Sequence, residues 1–213
     1  QKEDVAIFNA DDPIAAKLAR ASRAQQVPFS LAKKSKPGLY LEPAAGVAPA
    51  TIVHAHAKGD PDLYSLGAVR LLGKHNIGNI MATIAAVHQA GLVGSTLQRG
   101  LNAFEGLPHR MEVVRDFFGV RYINDSKGTN VAAVLAALEA LPNQRVILLA
   151  GGRDKDGDFA RLKPLIRQKV KKLVLFGEAA RKMAGVLKGT APTLAVEDLP
   201  AALWKAREET RHG

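Results

Sequence analysis

The chain has no cysteine, a single tryptophan and only 5% aromatic residues. Without thiols it has no disulfides, no thiolate metal site and no thiol nucleophile. Its six histidines show no HExxH-type ligand spacing. His54 and His56, in "HAH", are two apart and would share one face of a strand; the plainer expectation is a pair of exposed strand histidines. No apolar run approaches the length needed to cross a bilayer, and the opening "QKEDVAIFNADDP" lacks the order of a secretory signal, so a cytoplasmic setting is expected. Two phosphate-binding patterns are also missing, GxxxxGK[ST] and GxGxxG. If ATP is used, its main cradle lies outside these residues.

What remains is an ordinary globular balance of 213 residues, 47% hydrophobic with net charge +10, enough for one large domain or two modest ones. Residues 1–105 carry 11 Lys+Arg against 8 Asp+Glu, and residues 106–213 carry 19 against 12. The second-half excess includes "RQKVKK" at 167–172, read as a solvated basic helix face. A site for phosphorylated small molecules explains the sign of the charge as well as DNA does, and with acids interspersed and aromatics few, no nucleic-acid partner is expected. The start at Gln1, almost directly in the strand-like "VAIFN", suggests an excerpt of a longer protein.

From residue 120 onward strands and helices alternate. "VRYIN" (120–124) leads to the helix pattern "NVAAVLAALEAL", "RVILLAGG" (145–152) to "FARLKPLIRQKV", "KLVLFG" to "EAARKMAGVLKG", and "TLAV" to "LPAALWKAREETRHG". Such alternation predicts βαβ units and a doubly wound, Rossmann-like, mostly parallel α/β sheet. The first half differs. After "VAIFNADDP" and the helical "IAAKLARASRA", residues 38–73 hold short β-rich pieces broken by Gly and Pro, which predict an antiparallel flap or small sheet. Ile77, Ile80, Ile84 and Val87 then recur at helical spacing, with Gly91 as a stop, and Ser95 reads as the cap of a further helix. "EGLPHR" separates the two regions, placing a domain boundary between residues 105 and 106.

In parallel α/β sheets ligands collect at the carboxyl ends of strands. Asp125, Ser126, Lys127, Thr129 and Asn130 follow one expected strand, and Gly151, Gly152, Asp154 and Lys155 follow the next. Lys127 and Lys155 are compact cations suited to carboxylate or phosphate; Thr129 either caps the next helix or donates to an anion held at that helix start; Asp125 suits ribose hydroxyls. Each loop taken singly also reads as a cap or tight turn. Asn76 and Asn79, three apart on a helix, are either caps or ligands for a base or phosphate. His109 and Arg110 fall in the presumed hinge, where Arg110 either clamps a phosphate or is an ordinary surface arginine.

In this order, "NADDP", "GKHNIGNIMATIAA", "LNAFEGLPHRMEVV", "INDSKGTN" and "LLAGGRDKDGDF" closely resemble the Mur ligases of bacterial peptidoglycan synthesis, and "DSKGTN" points to the branch that adds D-glutamate. The resemblance implies a three-domain parent enzyme that joins D-glutamate to UDP-N-acetylmuramoyl-L-alanine with ATP and Mg²⁺ through an acyl phosphate. It further implies a cytoplasmic, monomeric parent with no membrane partner. Residues 1–105 would be the tail of the central ATPase domain and 106–213 most of the Rossmann-like C-terminal domain. The P-loop, the metal ligands and a carbamylated lysine are expected upstream of Gln1 and a closing segment beyond Gly213, so no catalytic or metal-binding residue is expected within these residues, which alone should be inactive. Carried over motif by motif, Asn76, Asn79, Arg110 and Asp125 become nucleotide contacts and Lys127, Thr129 and Lys155 contacts to D-glutamate. His109, Ser126 and Asn130 lie in the same motifs without an assigned role. The alternatives are another Mur-type or folylpolyglutamate-type amide ligase, and a non-catalytic nucleotide-binding α/β module.

Overall fold

Asp12 sets the first turn of the chain. In the computed structural model, which describes residues 4–71, 73–141 and 146–210, strand β1 (Val5–Asn9) runs into Asp12, whose carboxylate accepts from the backbone N–H groups of Ile14 and Ala15. It thereby caps α1 (Pro13–Ala21), which opens on a proline whose missing N–H would have had no helical partner. β2 (Gln25–Ser30) and β3 (Gly38–Glu42) continue in parallel with β1. β4 (Thr51–Ala55) and β5 (Asp62–Ser65) then add in antiparallel fashion, giving one sheet in the order β1-β2-β3-β4-β5. The β-rich pieces after residue 38 are antiparallel as expected, but they extend this sheet and do not form a separate one.

Helix α2 (Lys74–Gln89) lays Ile80, Met81, Ile84 and Ala85 onto Leu39, Ile52 and Tyr64, and this is the core of the first unit. Burying each large side chain of that set contributes about 1.5–3 kcal/mol. The N-cap of α2 is Gly73, at φ 94°, with no side-chain cap, so Asn76 and Asn79 are not capping residues. α3 (Gly94–Ala103) likewise begins without a side-chain cap. Ser95, expected there, is already inside the helix, because the turn is made at Gly94 (φ 62°), whose N–H goes to the Tyr64 hydroxyl. His54 also departs from expectation, being only 7% exposed on β4.

Contacts divide the chain into two units, Gln1–Gly106 and Leu107–Gly213. In the second, β8 (Val146–Gly151), β9 (Val170–Phe176) and β10 (Thr193–Ala195) form a parallel sheet in the order β10-β9-β8. Around it lie α4 (Val131–Ala140), α5 (Lys163–Lys169) entered through a 3₁₀ turn (Phe159–Leu162), α6 (Ala180–Val186) and α7 (Leu199–Thr210). Leu138, Leu162, Ile166, Leu173, Leu175 and Leu187 fill its core. The α/β class and the parallel sheet are those the alternation predicts. Residue 145 and residues 211–213 of the predicted elements lie outside the described residues. No described helix is long and apolar enough to cross a membrane.

Two local readings change. "VRYIN" is β7 (Val120–Asn124), which pairs in antiparallel fashion with β6 (Glu112–Phe117) in its own two-stranded sheet and does not open the parallel one. "RQKVKK" is not a uniformly solvated face. Lys169 is 8% exposed, and its ammonium donates to the carbonyls of Leu138 (2.8 Å) and Leu141 (2.7 Å) at the end of α4. Lys172 pairs with Glu209.

Candidate functional site

At the end of β7 the backbone turns through residues 125–130 into α4, and this loop is tied to residues 109–112. The Met111 N–H donates to Asp125 Oδ1 at 3.0 Å, and the Lys127 N–H donates to the His109 carbonyl at 2.9 Å. The Asn124 amide lies 2.9 Å from His109 Nδ1, and the His109 N–H donates to Glu112 Oε2 at 2.7 Å. His109 (φ 64°) and Met111 (φ 49°) both hold left-handed backbone, a conformation that costs a non-glycine residue on the order of 1–3 kcal/mol. The hydrogen bonds on either side maintain that strain, and Arg110 sits exposed between the two. "GLPHRM" and "NDSKGTN" are therefore one structure, brought together from fifteen residues apart by the β6–β7 hairpin.

Within the loop the roles separate. Asn130 is the N-cap of α4, its Oδ1 accepting from the Ala133 N–H at 2.9 Å, so the cap is Asn130 and Thr129 is left exposed. The Ser126 N–H is held by Asn124 Oδ1 at 3.0 Å. The Gly128 N–H donates to the Asp125 carbonyl at 2.7 Å, and a Cβ on Gly128 would stand 2.7 Å from Asp125 Oδ2. Any larger residue there displaces the carboxylate. The exposed Lys127 and Thr129 thus stand at the start of α4, where unpaired backbone N–H groups favour an anion.

The loop after β8 meets the same helix end. A Cβ on Gly157 would lie 3.1 Å from the Val131 side chain, the first residue of α4. Gly151 lies so close to the next strand that a Cβ there would fall 1.9 Å from the Phe176 carbonyl oxygen, which only glycine permits. In this loop Lys182, from α6, reaches Asp154 (2.7 Å) and Asp156 (3.2 Å). The hydrogen bond from Lys182 holds the Asp154 carboxyl below its ordinary range, and the two acids raise Lys182 in turn. Lys155 is not drawn into that pairing. Among the described residues, the side chains of Arg110, Lys127 and Lys155 make no hydrogen bond or ion pair within the chain.

Asn76 and Asn79 belong to the first unit, at the opening of α2. Asn76 is 9% exposed, and Asn79 Nδ2 donates to its Oδ1 at 3.3 Å, leaving Asn79 exposed. Gly78 between them rests near Phe29 and Leu31, at the carboxyl end of β2. Asp11, from "NADDP", accepts from Ser30 Oγ (2.6 Å) and the Leu31 N–H (2.7 Å) at that same end. The motifs of the first unit therefore also gather at strand carboxyl ends. The sequence reading missed Lys182, Glu112 and the environment of His54; Lys182 and His54 meet partners from other elements, Glu112 meets the His109 N–H only because the backbone between them turns left-handed, and only "HAH" gave a signal.

Residues 109–213 match the family model described as "Mur ligase, glutamate ligase domain". The chain is 39% identical over 212 residues to a UDP-N-acetylmuramoylalanine–D-glutamate ligase of Syntrophus aciditrophicus, covering 100% of this chain and 45% of that protein. It is 36% identical over 210 residues to the protein of the same name from Geotalea uraniireducens, covering 99% of this chain and 45% of that one. The chain thus spans less than half the length of these relatives. The crystal structure of MurF from Acinetobacter baumannii superposes with TM-score 0.72 at 18% identity, over 98% of this chain and 46% of that one, a likeness of fold. With whole-chain identity to named ligases and a family match over the unit that carries Asp125, Lys127 and Lys155, the chain belongs to the Mur ligase family.

Proposed function

We propose that the protein carrying this chain is an ATP-dependent ligase that joins D-glutamate to UDP-N-acetylmuramoyl-L-alanine in peptidoglycan precursor synthesis. Residues 1–105 are read as the tail of its central ATPase domain and residues 106–213 as its C-terminal domain. The observation that carries this reading is the start of α4, where a cation without an internal partner, Lys127, stands with Thr129 beside a carboxylate, Asp125, pinned by backbone hydrogen bonds.

D-glutamate brings two carboxylates, and a site for it needs charge and donors that are not already consumed. Lys127, Thr129 and the N–H groups of α4 suit one carboxylate, and Lys155 on the adjoining loop suits the other. Asp125, with one oxygen held by the Met111 N–H, keeps the second oxygen for a ribose hydroxyl. Arg110, fixed between two left-handed residues, suits the phosphates, and the exposed amide of Asn79, steadied by Asn76, suits the adenine edge. His109 serves through its backbone, its carbonyl holding the Lys127 N–H, and Asn130 serves as the cap. In the reaction the muramoyl-alanine carboxylate takes the γ-phosphoryl group and releases ADP. The amine of D-glutamate then attacks the acyl carbonyl, phosphate leaves, and the amine loses a proton. The contribution of this chain is to hold the amine donor and nucleotide in register, which is where proximity gains arise.

Magnesium, which such a reaction employs, takes oxygen ligands in octahedral geometry. Among the described residues, the one set of three metal-capable side chains, His54, Asp62 and His88, is imidazole-rich and does not fit it. No step above is assigned to a magnesium ligand of this chain. The test is steady-state kinetics of Lys127→Ala in the full-length enzyme. The expected result is a KM for D-glutamate raised far more than that for ATP; equal increases contradict the role given to Lys127.

A further inference from the structure

At the opposite end of α2 from Asn76, about 18 Å along the helix axis, three imidazoles and a carboxylate converge. His54 lies on β4, with Asp62 directly opposite it in the antiparallel register with β5. His56 follows just past β4, and His88 comes from the last turn of α2. The ring of His54 is 4.3 Å from that of His88 and 4.5 Å from that of His56. Asp62 Oδ2 is 2.8 Å from His56 Nε2 and 3.9 Å from His88 Nδ1. One donor atom from each of His54, Asp62 and His88 falls within 4.8 Å of the others.

We propose that His54, Asp62 and His88, with His56 beside them, form a binding site for a divalent transition metal of the zinc class. Two observations beyond the clustering support it. First, His54 is 7% exposed, and among the described residues its Nδ1 is the only buried side-chain nitrogen or oxygen with no hydrogen-bond partner. Such a group carries a desolvation cost that a partner relieves. Second, the His88 ring is held in one orientation through the nitrogen that points away from the cluster. Its side chain is 7% exposed, and its Nε2 lies 2.5 Å from the hydroxyl of the fully buried Tyr64, which also accepts from the Gly94 N–H. That contact fixes the ring plane and leaves Nδ1 as the nitrogen that faces Asp62; in the tautomer a metal selects, Nε2–H donates to Tyr64 and Nδ1 offers its lone pair to the ion.

The donor chemistry selects the ion. Two or three nitrogens with one carboxylate and no thiolate suit Zn²⁺ or a close relative, and a set this poor in oxygen excludes Mg²⁺ and Ca²⁺. Bond lengths of about 2.0–2.2 Å put tetrahedral ligand atoms roughly 3.3 Å apart, so each donor moves by about an ångström or less from its present position. A cavity of about 300 Å³, lined by His54, His56 and His88 with Gln25, Gln26 and Gly38, adjoins the cluster and leaves room for solvent as a further ligand. Such an ion would clip the C-terminal turn of α2 to the β4–β5 hairpin.

The test is titration of the chelator-treated protein carrying this chain with Zn²⁺ by calorimetry, and with Co²⁺ by visible absorption. The expected result is one Zn²⁺ bound per chain with micromolar or tighter affinity, an intense four- or five-coordinate Co²⁺ spectrum, and no comparable saturation by Mg²⁺. His54→Gln and His88→Gln should each weaken zinc by about 100-fold or more, and Tyr64→Phe, which leaves every ligand in place, by about 10- to 100-fold. The absence of saturable zinc binding in the wild-type protein overturns the proposal, whatever the variants do. Zinc binding that survives both histidine changes, or Mg²⁺ binding of equal affinity, overturns it as well.

Discussion

The two ends of α4 each carry a lysine, and the two lysines do opposite things. At the C-terminal end Lys169 is buried and spends its hydrogen bonds on the carbonyls of Leu138 and Leu141. At the N-terminal end Lys127 is exposed, and among the described residues its side chain has no partner. The first placement completes a helix terminus, where a cation meets orphan carbonyls and the negative end of the helix dipole. The second puts a cation where the dipole is positive and, among the described residues, pairs it with no anion, an arrangement that gains nothing for the fold and that an incoming carboxylate would complete. In the function proposed above, the cation that the fold does not use is the one on the ligand side.

The contrast sets the ranking of tests. The largest effect belongs to Lys127→Ala: a charge-assisted hydrogen bond contributes about 1.5–3 kcal/mol, so the KM for D-glutamate should rise about 10- to 100-fold while the urea unfolding midpoint stays put. Lys169→Met should do the reverse, lowering unfolding free energy by about 1–3 kcal/mol in denaturant titrations because buried carbonyls lose their donor, with both KM values unchanged. A Lys169 variant with normal stability and poor D-glutamate binding would break the distinction. Gly128→Ala sharpens it from within the loop: a Cβ 2.7 Å from Asp125 Oδ2 forces that carboxylate aside, so KM for ATP should rise severalfold with little loss of stability. The smallest effect is that of pH on the Asp154–Lys182 pair. Lys182 holds the Asp154 carboxyl below its ordinary range, so the pair supports the fold at neutral pH and that support fades as pH falls through the lowered value, below the usual carboxylate range. Because Lys182 is exposed and Asp154 only half-buried, solvent screens the pair, and Asp154→Asn should flatten the acid limb of a stability–pH curve only slightly.

How much of this the sequence discloses varies by element. The alternation after residue 146 is legible because each parallel strand is a short apolar run and each helix a longer periodic one. The β6–β7 hairpin is not legible, for a specific reason. Its turn is made at Phe118 (φ 48°) and Gly119 (φ 76°), both left-handed as a two-residue hairpin requires, and Phe-Gly lacks the Asn-Gly or Asp-Gly signature that announces such turns. Missing the hairpin also hid why "GLPHRM" and "NDSKGTN" act together. The loop residues Asp125, Lys127 and Thr129 were visible as a polar cluster at a strand end, whereas Asn130 as the actual cap, and Lys169 as an internal donor, depend on contacts that span turns and elements. His54, Asp62 and His88 come from a hairpin and the far end of a helix, and no local spacing connects them.

The burial of Lys169 has a practical consequence for watching this protein move. Its amine should be silent toward acylating reagents while α4 and α5 remain docked, and become reactive when they part. Lys171, two residues on and exposed, reacts regardless and supplies an internal reference. The ratio of modification at these two neighbouring positions therefore counts openings of the second unit, and a ligand that stiffens the opposite end of α4 should register there as a slower clock.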